Sequence, residues 1–298
     1  MKRSFLAALA VALFIFQSPL ALTAGKVFLW KGVSGQSTVY LMGSIHMADK
    51  SFYPMDPAIE SAFAESGRLV VEVDVTTVNQ EQILSLMMKK GFYEADDSIE
   101  NHIAASTFRS LEDYFGQMGL PVEMVSRMKP WAAYMMVEQT ELGKLGLDPA
   151  LGVDMHFINQ AKKIGKPVGE LETIESQMEL LAGFDDSVQE GLMISSLGER
   201  EKRQESIRGM VAAWKAGDAK KMESLLFEPL YSNPSIYPVY EGMFFARNAV
   251  MTEKIAKMAS PAQPVFVVVG AGHLLGEKGI VSLLMKKGFV VYQIPSAK

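Results

Sequence analysis

Two hydrophobic periods alternate along the chain. Residues 27–31, 37–42, 68–74, 166–171, 265–269 and 288–294 form short apolar runs, most of them rich in valine and bounded by glycine, proline or charge. Such runs predict β-strands. The first two are separated by a stretch holding Gly32, Ser34 and Gly35, which predicts a hairpin or closely paired strands. Apolar residues recur at three- and four-residue spacing over 56–66, 79–90, 106–118, 131–145 and 152–163, and then through a long block from 173 to 258. That spacing predicts helices with one buried stripe. Strands at both ends with helices between them predict an α/β fold, a largely parallel central sheet flanked by helices with a helical insertion at about 173–258. Residues 25–298 are expected to form a single domain.

One segment occurs twice. ILSLMMKKGF at 83–92 and IVSLLMKKGF at 280–289 agree at eight of ten positions. Both read as helix C-terminal ends, with paired lysines in the last turn and the glycine as cap. Their surroundings differ too much for a tandem repeat, so shared capping chemistry accounts for the likeness.

The first 24 residues stand apart. Lys2 and Arg3 precede an apolar run at 5–16, and Leu22-Thr23-Ala24 precede Gly25, the layout of a secretory signal peptide cleaved after Ala24. The run is shorter than the roughly 20 residues a spanning helix needs, so no stable membrane anchor is expected after cleavage. A periplasmic or secreted location follows. With 49% apolar and 21% charged residues, the composition is that of a folded protein. A net charge of −5 without a basic tract removes the footprint that nucleic-acid binding requires. The chain has no cysteine, which excludes thiolate catalysis and Cys-ligated metal, so any metal rests on His, Asp or Glu. The mixed charges at 199–208 predict a solvated helix face, and the 20 methionines read as core packing.

Against this background one pattern carries chemistry. A strand followed by Gly-x-x-His occurs at Gly43-Ser44-Ile45-His46 and again at Gly270-Ala271-Gly272-His273. If both strands are parallel members of one sheet, both histidines leave its carboxyl edge, where open α/β sheets bind ligands. Glu72 lies within the apolar run at 68–74, and a carboxylate there is costly unless paired or bound to a cation. His46, Glu72 and His273 could surround a divalent cation and leave positions open for water and substrate. Alternatively, Glu72 pairs with an arginine and the histidines only close turns. Asp154, following Gly152 at the start of a helical segment, is either a helix N-terminal charge or a site group. Glu170 ends the strand at 166–171 and carries the same buried-carboxylate logic as Glu72. Arg247 suits an oxyanion or substrate carboxylate, or a salt bridge to Asp154 or Glu170. Glu172 reads as a helix-start charge, His156 as structural, and His102 as a surface or capping residue.

At these residues the chain resembles the TraB/PrgY/GumN family, which includes the animal Tiki metalloproteases and is distantly similar to erythromycin esterase and ChaN-like proteins. The resemblance rests on Leu41-Met42-Gly43-Ser44-Ile45-His46, Val71-Glu72-Val73-Asp74, Gly152-Val153-Asp154, Glu170-Leu171-Glu172-Thr173, Arg247-Asn248 with Met251, and Val269-Gly270-Ala271-Gly272-His273-Leu274. It implies a Tiki-like α/β core and metal-dependent peptidase chemistry at His46, Glu72 and His273. Arg247 is then a catalytic candidate, and Asp154, Glu170 and Asn248 are further site candidates. The favoured expectation is an exported hydrolase of peptide or protein substrates that uses Mn²⁺, Co²⁺ or Zn²⁺, since two imidazoles disfavour Mg²⁺. Two alternatives stay open: a non-catalytic periplasmic binder of haem, metal or peptide, and an esterase without the G-x-S-x-G nucleophile motif.

Overall fold

Strand β1 (Lys26–Ser34) and strand β2 (Ser37–Ser44) form the expected antiparallel hairpin, turning at Gly35, whose φ of +57° suits glycine. Four further strands, β3 (Arg68–Val71), β4 (Val168–Glu170), β5 (Val265–Gly270) and β6 (Val290–Pro295), complete one sheet in the order β4-β3-β5-β2-β1-β6. β4, β3, β5 and β2 are mutually parallel, and β1 runs against its two neighbours. The fold is therefore the expected α/β type with a largely parallel sheet. This computed structural model describes residues 25–198 and 200–298. The expected signal peptide and Glu199 of the mixed-charge stretch lie outside the described residues.

The centre of the sheet is the most apolar sequence in the chain. β5 is buried at all six positions and β2 at its last six, as strands covered on both faces must be. Helices Pro57–Glu65 and Val153–Lys163 pack against it through Phe63, Phe157 and Phe266, whose ring centroids lie 4.9–5.5 Å apart. Helix Ala246–Met258 adds Met251 and Ile255 to the same core, and helix Ile280–Lys286 adds Ile280 and Leu284.

A second apolar cluster lies among the helices. It joins Leu111, Phe115, Val125, Trp131 and Val137 to Met178 and Met193. Its residues come from both sides of β4, so the helical layer is drawn from two excursions of the chain. The block at 173–258 divides into helices Ile174–Ala182, Asp186–Leu197, Arg200–Lys215, Ala219–Ser232, Tyr237–Tyr240 and Ala246–Met258, the last preceded by a π-helical turn at Glu241–Phe245.

Two local expectations are corrected. The strand expected over 68–74 ends at Val71, the last of its residues paired with either neighbour, β4 or β5. Beyond it the Asp74 side chain accepts from Thr76 N at 3.1 Å, a local turn that competes with the ladder. The two glycines of the repeated segment also differ. Gly288 has φ of +89° and caps its helix as expected, whereas Gly91 is the last helical residue of Gln80–Gly91. A Cβ on Gly91 would lie 3.3 Å from Ala132 Cβ, so its smallness serves close packing instead.

Candidate active site

The sheet register places Ser44 level with Gly270, and Val71 level with both Val268 and Glu170. The chains carrying His46, Glu72 and His273 therefore leave the same carboxyl edge. Gly270 marks the point of convergence. A Cβ there would lie 3.0 Å from His46 Nε2, 3.4 Å from Glu72 Oε1 and 3.5 Å from His273 Cδ2. Only glycine leaves that space open.

Each histidine is tied back through Nδ1 by a different helix. His46 Nδ1 lies 3.3 Å from Asp154 Oδ1, and Ser44 Oγ donates to the same oxygen at 2.8 Å. Asp154 stands in the first turn of Val153–Lys163, whose N-cap Gly152 admits close contact, since a Cβ there would fall 2.4 Å from His46 O. Val153 N donates to Ile45 O at 3.0 Å and fixes the helix to the histidine loop. Trp214 Nε1 donates to Gly43 O at 2.7 Å. The His46 side chain is 57% exposed on the wall of a cleft. Enclosure by the cleft opposes its charge, but the hydrogen bond and charge of Asp154, with Glu72 beyond, outweigh it and raise its pKa to about 9.

His273 is the buried counterpart, with 5% of its side chain exposed. Asn248 Nδ2 donates to Lys278 O at 2.9 Å, which fixes the amide so that Oδ1 accepts from His273 Nδ1 at 2.6 Å. That assigns the proton to Nδ1 and leaves a lone pair on Nε2, 3.7 Å from Glu72 Oε1. Phe244 packs on the ring at 5.3 Å. Burial, against the opposing pull of Glu72, holds His273 down at about 4.

Glu72 is buried, and both of its oxygens accept hydrogen bonds. Oε1 accepts from Gly270 N at 2.6 Å, while Oε2 accepts from Arg247 Nη2 at 2.7 Å and Gln177 Nε2 at 3.1 Å. Burial opposes its charge, but the two imidazoles, Arg247 and the Gly270 amide hold its pKa at about 2. Arg247 donates in turn to both oxygens of Glu172, at 2.9 and 2.6 Å, and to Met243 O at 2.8 Å. The salt bridge weighed for Arg247 thus forms with Glu72 and Glu172, and Asp154 and Glu170 take no part in it.

The remaining candidates separate clearly. Asp154 and Asn248 join the site as histidine partners. Glu170, exposed on edge strand β4, accepts from Asp74 N at 2.6 Å. His156 packs on Tyr53 with ring centroids 4.6 Å apart, away from the site as expected. His102 is the C-cap of the 3-10 turn Ile99–Asn101, as the capping expectation had it, and its ring is clamped between Asp97 and Asp186 at 2.9 and 2.7 Å. Sequence reasoning missed Ser44, Glu172 and Gln177 as site residues, although Ser44 and Glu172 lie inside the motifs that identified it. The cleft beside His46 and Glu72 has a volume of about 450 Å³ and mainly apolar walls that include Val73, Val75, Ala150 and Met155.

A model of the TraB/PrgY/gumN family matches residues 28–293. The chain belongs to this family. The protein YbaP of Escherichia coli K12 is 26% identical over 264 residues, covering 87% of this chain and 94% of its own length. Metalloprotease TIKI2 of Danio rerio is 21% identical over 314 residues, with 86% of this chain and 58% of the relative covered. Metalloprotease TIKI1 of Xenopus tropicalis is 20% identical over 328 residues, covering 91% and 62% respectively. The chain thus spans about three-fifths of these Tiki proteins. No solved structure gives a significant match.

Distant relatives of this chain are metalloproteases by name, so the donor set can be tested against a divalent cation. Among the described residues, no three His, Asp or Glu side chains stand in closed metal-ligand geometry. Yet His273 Nε2 and Glu72 Oε1 are 3.7 Å apart, close to the roughly 3.0–3.5 Å between ligands that share an ion at about 2.1 Å. Both face each other with lone pairs, an arrangement a cation relieves. Both histidines also have Nδ1 held by an oxygen, as metal-ligating histidines do. The residues therefore fit a divalent ion. No helix among the described residues is long and apolar enough to cross a membrane.

Proposed function

We propose that this chain is an exported, metal-dependent hydrolase of peptide substrates, with His46, His273 and Glu72 as the residues that hold its ion. The observation that carries this reading is the pair of Nδ1 ties, to Asp154 and to Asn248, which leave His46 Nε2 beside the space at Gly270 and His273 Nε2 facing Glu72 Oε1 at 3.7 Å. Two imidazoles and one carboxylate suit Mn²⁺, Co²⁺ or Zn²⁺ better than Mg²⁺. When bound, such an ion supplies Lewis-acid polarisation of a substrate carbonyl and acidification of water.

The chain's own groups divide the remaining work. Asp154 and Asn248 fix the two imidazoles. Arg247, whose donors go to Glu72, Glu172 and Met243 O, holds Glu72 rather than a substrate oxyanion. His46 stands on the wall of the cleft, nearest to where substrate would enter. The apolar walls supplied by Val73, Val75 and Met155 suit an uncharged side chain of a peptide.

Elemental mass spectrometry of the purified protein, beside the His46→Ala/His273→Ala variant, tests the ion. About one transition-metal ion per chain, lost in the variant together with hydrolysis of a peptide library, is expected. Absence of metal from the parent after reconstitution with Mn²⁺, Co²⁺ and Zn²⁺ would overturn the reading.

A further inference from the structure

Glu172 holds a position in this site that its sequence context does not announce. It precedes the helix Ile174–Ala182 but does not cap it, since Thr173 accepts from Ser176 N in that role. Instead its two oxygens accept from Arg247 Nε and Nη2 at 2.9 and 2.6 Å, the two-point geometry in which arginine binds carboxylates most strongly. Gln177 Nε2 then joins Glu172 Oε2, at 3.0 Å, to Glu72 Oε2, at 3.1 Å. Glu72, Arg247, Glu172 and Gln177 form a closed ring, and the side chains of Glu72, Arg247 and Glu172 are 9%, 16% and 13% exposed.

The ring treats the two oxygens of Glu72 unequally. Its hydrogen bonds fall on Oε2, while among the described residues Oε1 accepts only from Gly270 N, and it faces His273 Nε2. The reason lies in Arg247. A guanidinium beside a lone carboxylate closes on both of its oxygens, but here the Nε/Nη2 edge is already taken by Glu172. Glu72 therefore receives one bond from Arg247, and Oε1 keeps a lone pair for the site. Glu172 also sets the charge, because one guanidinium between two carboxylates leaves the cluster net negative. Without Glu172 the guanidinium would be free to cover Oε1 as well, and the cluster would be neutral. Both changes weaken the hold on a cation.

Building on the metal site proposed for His46, His273 and Glu72, we infer that Glu172 is a positioning residue. It occupies the fork of Arg247 and so keeps Glu72 Oε1 available as a cation ligand. The test is a Co²⁺ titration of the full protein, reading affinity and the visible absorption band of the bound ion, with far-UV circular dichroism as the check on folding. Folded Glu172→Gln is expected to bind Co²⁺ about 10–100-fold more weakly, with a changed band. In Glu172→Gln/Arg247→Gln the competing guanidinium is gone, and at least tenfold of that affinity is expected to return. Parent-like affinity and band in Glu172→Gln overturn the proposal, and so does a loss that the second substitution fails to restore. If Glu172→Gln does not fold, Glu172→Asp decides: the shorter carboxylate keeps the charge but withdraws from the fork of Arg247, a tenfold weaker hold supports the proposal, and an unchanged hold overturns it. A parent protein that takes up no Co²⁺, Mn²⁺ or Zn²⁺ instead removes the metal site itself, and the role of Glu172 falls with it.

Discussion

The two Gly-x-x-His motifs share a spacing, a strand end and a proton-holding contact at Nδ1, yet they produce opposite imidazoles. His46 is 57% exposed, is tied to a carboxylate and has its pKa raised to about 9. His273 is 5% exposed, is tied to an amide and has its pKa lowered to about 4. The motif fixes where each ring leaves the sheet. Its charge is decided by what surrounds it, Asp154 of the helix Val153–Lys163 for His46 and burial for His273. A site built this way joins a half-open, cationic imidazole on its wall to a buried, neutral imidazole at its floor.

The contrast should be largest in stability. Arg247→Met strands the carboxylates of Glu72 and Glu172 at the buried end, and breaking such a pair costs about 3–5 kcal/mol. Asp154→Asn removes a charge partner from the exposed end, where such pairs contribute about 1 kcal/mol or less. Urea unfolding of the metal-free variants measures both, and equal losses would remove the distinction between floor and wall. Metal affinity should respond more evenly. Asn248→Ala and Asp154→Ala each release one ring from its Nδ1 tie, and each is expected to weaken Co²⁺ or Zn²⁺ binding by about 10–100-fold in calorimetric titration. A loss at one end alone would mean that only one imidazole is a ligand.

The pH dependence sharpens the comparison because the two ends have opposite signs. The folded pKa of His46 lies above the ordinary 6.5, so its contribution to stability is complete below pH 6.5 and is lost as pH rises through about 9. The folded pKa of His273 lies below 6.5, so its contribution is complete above pH 6.5 and is lost as pH falls through about 4. The metal-free protein should therefore be most stable near pH 6.5, with losses on either side. His102, raised by Asp186 and Asp97, adds to the alkaline loss. Asp154→Asn separates them: it should reduce the alkaline loss and leave the acid limb in place. Urea midpoints from pH 4 to 9 record both limbs, and an unchanged alkaline limb in Asp154→Asn would assign that loss to His102 alone.

The parts legible in the sequence are those encoded locally. β2 and β5 are runs apolar enough to declare a buried strand, and the glycine and histidine that follow them travel with the strand wherever it goes. Glu72 was legible for the same reason, as a charge in an apolar run. Glu170 shows where this logic stops. It ends a strand just as Glu72 does, but β4 lies at the edge of the sheet, and strand order is not written in strand sequence. Glu172 shows the converse. Its partner Arg247 lies 75 residues away, and Glu72 lies 175 residues from Arg247, so a helix-start glutamate gives no local sign of the ring it closes. The Nδ1 partners were visible as residues but not as partners, because each comes from a helix remote from its histidine.

The smallest effect isolates the wall from the floor. Ser44 is buried, and its hydroxyl donates to Asp154 Oδ1 at 2.8 Å, the same oxygen that faces His46 Nδ1 at 3.3 Å. In Ser44→Ala the carboxylate loses a donor that competes with His46, so Asp154 should hold the imidazolium more firmly and the pKa of His46 should rise further. The protein should lose only about 0.5–1.5 kcal/mol, the usual worth of one such bond. His273, held by Asn248 from another helix, shares no hydrogen bond with Ser44 and should titrate as before. NMR titration of the imidazole protons in the metal-free protein follows both rings at once. A shift of His46 alone supports two separately tuned histidines, whereas a matching shift of His273 would show that the wall and the floor respond as one unit through Glu72.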